Sequence, residues 1–503
     1  MVSAIGGILI FRSTNWGPWA FSDSAAYISA ARNIQSNLGP VIINASGSIT
    51  AVTEFPPGFP FILSKITPNQ GNFIQSARYL NVLCFALTIF LAGMISQNFL
   101  KNRFLGVAVS ASIALSPVML ETFSGFMSEP LFIAFLLFSI FCMINFLQTG
   151  HITFFLLIIF AASLLPMIRY AGIAFVVCIG LILIAYHNIR LLKLEKLIPI
   201  FFIAALSPVL GWFVYQYQVF NKFGGKSFSF NFALIRKLTV SILEELKLLI
   251  NWIPYSGKYS VEPIKYFFIG ITLILFIFAA IRTMISFFKK NSENSTAIIS
   301  LQIYAFLIFA YLLFIGFTHS ITVPQIDIID RMLAPIYPLL ILFIFTSLDG
   351  YISTNSFSLT TYFLFFFLLL SLRYNFLLSM SQIDMLYEDG LGYTAKEIVQ
   401  SRFIKELGDI PDGVRMISND AAFVLFHTNR FPLPVIQFHN RPYGSGNAYG
   451  EESFRERPAA LIIIYPEFRN YYGEGSSELL INLTRGLAIA YQDEIGGIYY
   501  PPN

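Results

Sequence analysis

The chain has 503 residues, 56% of them hydrophobic, 17% aromatic and only 12% charged, with a formal net charge of +4. That composition lies outside the range of ordinary globular domains and points to a polytopic membrane protein. The small positive charge sits mainly on short connecting loops and offers no basic face for nucleic acid. Cys84, Cys142 and Cys178 all fall inside predicted spans, so they supply no disulfide framework.

Met1–Phe11 is apolar but too short to cross a bilayer alone. Either its helix continues into Arg12–Trp19 or a longer first span has lost its beginning. A cleaved signal peptide would need a basic start and a small-residue cleavage pattern that this segment lacks. A loop over 13–73 follows. It carries Asp23 in Phe21-Ser22-Asp23-Ser24-Ala25-Ala26-Tyr27 and Glu54 in Glu54-Phe55-Pro56-Pro57-Gly58-Phe59-Pro60. Ala25–Ser36 is expected to form an interfacial helix with Tyr27, Ile28, Ala31 and Ile34 toward lipid or core, and Phe59–Ile66 a second one after the Pro-Pro-Gly turn.

Asn81–Gln97, Phe104–Leu120, Leu131–Leu147, Leu197–Tyr217, Pro263–Ile281, Ala297–Phe317 and Leu359–Met380 approach the length of a spanning helix. Ile152–Leu165 and Ala171–Tyr186 are shorter and meet at a tight turn over Pro166–Tyr170. With Met332–Leu348 and the N-terminal run, the total is about eleven spans. The long loop over 220–262 holds Phe223-Gly224-Gly225-Lys226 and an amphipathic stretch, Leu234–Trp252, expected to guard an acceptor entrance.

Lys101-Asn102-Arg103, Arg190 through Lys196, and Lys289-Lys290 occupy alternate short connections, which the positive-inside bias assigns to the cytoplasm. The loops carrying Asp23 and Leu234–Trp252, and the tail after about Ser381, then face outward. From Tyr387 charges, Gly and Pro become frequent. Arg415–Ser418 and Leu461–Tyr465 read as strands, and Ala395–Leu407 and Ser477–Tyr491 as amphipathic helices. The expected architecture is an α-helical polytopic membrane domain over 1–380 with a small extracytoplasmic α/β domain over 385–503. Tyr443-Gly444-Ser445-Gly446-Asn447-Ala448-Tyr449 fits a surface turn better than a sugar-stacking lid.

No phosphate-cradling glycine loop and no Cys/His metal spacing is present. Instead Asp23, Glu54, Arg78, Glu121, Glu129, Arg169, His319, Asp327, Asp330 and Arg331 map to the outward ends of spans, where ionisable groups are costly unless paired or functional. The blander reading of each is a cap or anchor: Arg78 and Asp330 as snorkelling or capping residues, and Glu129, before Pro130, as a first-turn acid. His319 with Glu54 or Asp23 could ligate a divalent metal, but a lone His at a span end is more often an interface residue, so no required metal or other cofactor is expected.

The order of short signatures resembles the GT-C superfamily of polytopic glycosyltransferases, which includes protein mannosyltransferases and lipid A aminoarabinose transferases. The signatures are Ser22-Asp23-Ser24-Ala25-Ala26-Tyr27 with Ala30-Ala31-Arg32-Asn33-Ile34, Phe55-Pro56-Pro57-Gly58-Phe59-Pro60, Met127-Ser128-Glu129-Pro130-Leu131-Phe132, Arg169-Tyr170-Ala171-Gly172, and Asp330-Arg331-Met332-Leu333-Ala334-Pro335. Many members carry an acidic pair in the first loop; here Ser24 follows Asp23, so a second acid would come from Glu54 or Glu129. The tail resembles outer domains of bacterial members in Ile417-Ser418-Asn419-Asp420 and Thr428-Asn429-Arg430.

The resemblance implies inverting transfer of a sugar from a polyprenyl-phosphate donor to a glycan, lipid or protein acceptor, on the outer face of a bacterial or archaeal plasma membrane. Asp23 would be the catalytic base. Arg169, Arg331 and Arg78 would hold the donor phosphate, with Glu54, Tyr27, Glu129, Tyr170, His319 and Asp330 supporting the substrates. The competing classes are a ligase or polymerase of lipid-linked glycans, a secondary transporter, which would place its polar groups near the bilayer midplane, and a noncatalytic membrane scaffold.

Overall fold

A computed structural model describes every residue of the chain except 44–48, 52–53, 70, 188–195, 222–226, 230–233, 256–261, 289–295, 324–327, 353–357, 435–458 and 502–503. The Phe223–Lys226 and Tyr443–Tyr449 motifs and Asp327 lie outside the described residues. The chain divides into two compact units: Met1–Ser13, Thr53–Phe59 and Ala77–Met385 form one, and Thr14–Val52, Pro60–Ser76 and Leu386–Asn503 the other.

The first unit is helical. Among the described residues seven helices are long and apolar enough to cross a membrane: Phe73–Gln97, Glu129–Thr149, Leu197–Phe220, Glu262–Ile281, Ile299–Ile321, Asp330–Asp349 and Leu359–Glu388. Arg103–Ala114 and Pro117–Ser124 make an eighth if counted as one span bent by 52°. The bend has a local cause. Pro117 disfavours helical geometry in the residue before it, and Ser116 Oγ restarts the helix by accepting from the Met119 amide at 3.3 Å. Val2–Ser13, Ile152–Ile168 and Gly172–Ala185 are shorter apolar helices. The first of these takes in Arg12 and stops at Ser13, so the helix does not continue through Trp19. Leu234–Asn251 is amphipathic and packs on the Thr296–Ile321 helix.

The second unit is built on a five-stranded mixed sheet in the order Leu433–Pro434, Arg415–Ser418, Ala459–Ile464, Gly496–Tyr500, Ala488–Gln492. The first three strands run parallel and the last two pair antiparallel. Ala459–Ile464 is buried on both faces, as its unbroken apolar run requires. Ala460, Ile462 and Ile464 pack with Phe403, Leu407, Phe423 and Val424 on one side. Ala459, Leu461 and Ile463 pack with Phe468 on the other. The Ser22–Gln35 helix joins this unit by packing on the Ala421–Thr428 helix and on the Val41–Ile43 strand, where Asn33 Nδ2 donates to the Val41 carbonyl at 2.6 Å. Tyr27, Ile28 and Ala31 are 3%, 1% and 0% exposed, which settles them as core rather than lipid-facing.

Two helices expected in the tail are cut short. Over Ala395–Leu407 the chain makes Lys396–Val399 and Arg402–Gly408, separated where the Ser401 side chain caps the second. The one expected over Ser477–Tyr491 ends at Thr484. Gly486, at φ +77°, turns the chain into the Ala488–Gln492 strand, which finds its partner in Gly496–Tyr500.

Candidate active site

Within the helical unit, four of the five signatures come together. Gly58 lies against the Pro166–Tyr170 break so closely that a Cβ there would collide with the Met167 carbonyl. The adjacent Phe59 ring meets Phe126 edge-on at 6.2 Å. Phe126 leads into Ser128-Glu129, at the start of the Glu129–Thr149 helix, and that helix packs on the Ala334–Ile336 turn that follows Arg331. Tyr311 donates its hydroxyl to the Met332 carbonyl at 2.8 Å and lies within electrostatic reach of Arg169 and Glu129.

At the centre of this convergence Arg169 Nη1 is 2.7 Å from Glu129 Oε2 and donates to Ser128 Oγ at 3.1 Å. Glu129 is 1% exposed and Arg169 22%, so the acid is sealed and the cation keeps a side toward the surface. Glu129 Oε1 is buried with no hydrogen-bond partner among the described residues. The location follows from local structure: Arg169 caps the Ile152–Ile168 helix, its amide donating to the Leu165 carbonyl at 3.0 Å, and Gly172 allows the next helix to start against Leu165. Tyr170, next in sequence, accepts from Trp212 Nε1 at 3.0 Å and Gln216 Nε2 at 3.4 Å and stacks on Phe213. Burial pushes its phenol above the ordinary range.

The other expected residues of this unit are placed as follows. Arg78 donates to the Phe11 carbonyl at 2.7 Å, with its guanidinium 3.9 Å from the Phe11 ring centroid, holding the first helix. Asp330 accepts from Trp252 Nε1 at 2.6 Å, and the half-buried Arg331 follows it. Glu54 is exposed. His319 is 5% exposed, with Nδ1 2.6 Å from Ser241 Oγ and Nε2 3.8 Å from Glu244. No group of three or more His, Cys, Asp or Glu side chains able to hold a metal lies among the described residues.

One turn along the Leu234–Asn251 helix from Ser241 lies a buried acid that no sequence motif marks. Glu245 is 1% exposed, its Oε1 is buried without a hydrogen-bond partner among the described residues, and it faces Gly316, where a Cβ would stand 3.1 Å from it. Burial pushes this carboxyl up to about 7. In sequence it is one of two adjacent acids, Glu244-Glu245; only its spacing of four from Ser241 marks it as sharing that residue's buried face.

Asp23 belongs to the second unit. It sits half-buried in the first turn of the Ser22–Gln35 helix, where the helix N-terminus favours a carboxylate, and Tyr27 is one turn further along. In the same unit Asp420 caps the Ala421–Thr428 helix, accepting from the Phe423 amide at 2.9 Å, and both its oxygens accept from the Tyr393 hydroxyl at 3.1 Å. Burial raises the Asp420 carboxyl. Asn419 exchanges hydrogen bonds with the Ile464 backbone at 2.7 and 3.0 Å, so the Asn419-Asp420 signature serves the sheet architecture.

No protein-family model matches the sequence, and no curated protein matches it significantly. Solved structures do. ArnT from Cupriavidus metallidurans bound to undecaprenyl phosphate superposes with a TM-score of 0.61 at 12% identity, covering 100% of this chain and 98% of that one. The apo state of the same protein gives 0.61 at 11%, covering 99% and 97%. This chain therefore shares its fold with ArnT.

Proposed function

We propose that the chain is an inverting glycosyltransferase that moves a sugar from a polyprenyl-phosphate donor to an acceptor on the outer face of the membrane. The observation that carries this reading is the partly exposed Arg169 fixed on buried Glu129, where the Gly58, Ser128 and Arg169 signatures meet, in a fold shared with a protein that binds undecaprenyl phosphate. The eleven-span count requires the bent pair and the three shorter apolar helices all to cross. An outward tail then makes the sheet-containing unit extracytoplasmic.

In the reaction the acceptor oxygen attacks the anomeric carbon and Asp23 takes the acceptor proton. The bond from that carbon to the phosphate oxygen breaks, and polyprenyl phosphate departs with the electron pair. Arg169, held in place by Glu129 and Ser128, stabilises the charge growing on the phosphate, and Arg331 is assigned the same role. The donor's lipid chain would lie among apolar helices, which accounts for transfer without a nucleotide-binding loop.

The test is mass spectrometry of surface glycans and polyprenyl-phosphate sugars in cells lacking the protein, then complemented with wild type or Asp23→Asn. Accumulated donor and a missing glycan, restored only by wild type, are expected. An unchanged profile would reject the transferase reading. Loss of whole polymers rather than single sugars would identify a ligase or polymerase.

A further inference from the structure

The residues leading into Asp23 have little structure of their own and are held by a segment far away in sequence. Trp16 Nε1 donates to the Tyr387 carbonyl at 3.1 Å, Thr394 Oγ1 donates to the Pro18 carbonyl at 3.0 Å, and the Tyr393 amide donates to the Ala20 carbonyl at 2.8 Å. Ala20 and Thr394 are fully buried. Gly392, at φ +62°, presses so close to the Ala20 carbonyl that no Cβ fits between them.

Tyr393 ties this seam to the sheet. Its hydroxyl is held by both oxygens of Asp420, and its ring packs edge-on against Phe423 at 5.3 Å and beside Phe426 at 5.7 Å. Phe423 and Phe426 belong to the Ala421–Thr428 helix, on which the Asp23 helix is packed. The charges of Asp420, Glu467 and Asp23 all bear on the Tyr393 hydroxyl.

We infer that Tyr393 is a positioning residue for Asp23: its amide clamps Ala20, three residues earlier in the chain, and its hydroxyl locks that clamp, through Asp420, to the helix supporting the Asp23 helix. This inference rests on the reading of Asp23 as the base. A base displaced by about 1 Å loses on the order of 100-fold in rate, whereas donor affinity owes nothing to its position.

The test uses the purified full-length protein. Undecaprenyl phosphate is the binding probe, and transfer is followed from the labelled polyprenyl-phosphate pool of membranes from cells lacking the protein. Tyr393→Phe keeps the amide and removes the lock; Gly392→Ala pushes Ala20 away. Both should lower kcat by about 10- to 100-fold with the Kd for undecaprenyl phosphate unchanged. Tyr393→Phe should cost nothing further on the residual rate of Asp23→Asn, because it acts through that carboxylate. Wild-type kcat in folded Tyr393→Phe beside an impaired Asp23→Asn overturns the inference and leaves the base assignment standing. So does a loss that multiplies with that of Asp23→Asn, or an equal loss of undecaprenyl phosphate binding. Full activity of Asp23→Asn removes the base assignment and this inference with it.

Discussion

Arg169 and Glu129 form an unequal pair: 2.7 Å apart, the acid 1% exposed and the cation 22%. Removing Arg169 strands a buried carboxylate, so Arg169→Ala should lose about 3–5 kcal/mol of stability whatever its role in binding. Replacing both partners with uncharged groups, Arg169→Met with Glu129→Gln, avoids that cost and isolates the function. We expect the double variant to unfold within a few degrees of wild type in detergent yet to bind undecaprenyl phosphate at least tenfold more weakly, about 1.4 kcal/mol. Wild-type affinity in the stable double variant would remove Arg169 from the phosphate site.

Gly58 and Met167 provide a second constraint. A Cβ at position 58 meets the backbone of Met167, and no side chain can rotate away to relieve it. Gly58→Ala should destabilise by about 1–3 kcal/mol and shift the Arg169 turn two residues on. Lower transfer together with a lower Tm is expected; an unperturbed Tm with full transfer would show that this contact does not set the site.

The spans were legible because bilayer length imposes long apolar runs, and the Asp23, Gly58, Glu129 and Arg169 motifs stood out as polar or turn residues at the ends of those runs. The Arg415–Ser418 strand was readable as a short run bounded by turn residues, Pro411-Asp412-Gly413 before it and Asn419-Asp420 after it, and occurs with those limits. What sequence conceals is mostly backbone. The Tyr393 amide holding Ala20 carries no side-chain signature, and its partner lies hundreds of positions away, so the loop of Asp23 reads as part of the membrane region although it folds with the sheet. The helical period over Ser477–Tyr491 is real only to Thr484, since pairing with Gly496–Tyr500 overrides local propensity beyond Gly486.

Glu245 gives a pH signature. Its folded carboxyl titrates near 7, above its ordinary value of 4.5, so between those two pH values the folded state holds a proton that the unfolded state has released. Its contribution therefore favours folding at the acid end of that window and is lost as pH rises through about 7. Glu245→Gln, which cannot ionise, should be more stable than wild type at pH 8 and lose that advantage at pH 5, a difference of up to about 3 kcal/mol. Parallel Tm profiles for the two proteins would show that Glu245 is not a buried titrating group.

Orientation can be read chemically because the natural cysteines are silent: Cys84, Cys142 and Cys178 are 4%, 0% and 5% exposed. A single cysteine introduced at an exposed site then reports its own side of the membrane. Lys101 lies in a basic connection assigned to the cytoplasm, and Glu474 in the sheet-containing unit assigned to the exterior; both are exposed. In intact cells stripped of any outer barrier, Glu474→Cys should react with a membrane-impermeant maleimide and Lys101→Cys should react only after permeabilisation. The reverse pattern would place the Asp23 unit in the cytoplasm, where a donor presented at the outer face could not reach it, and the proposed reaction would fail on topology alone.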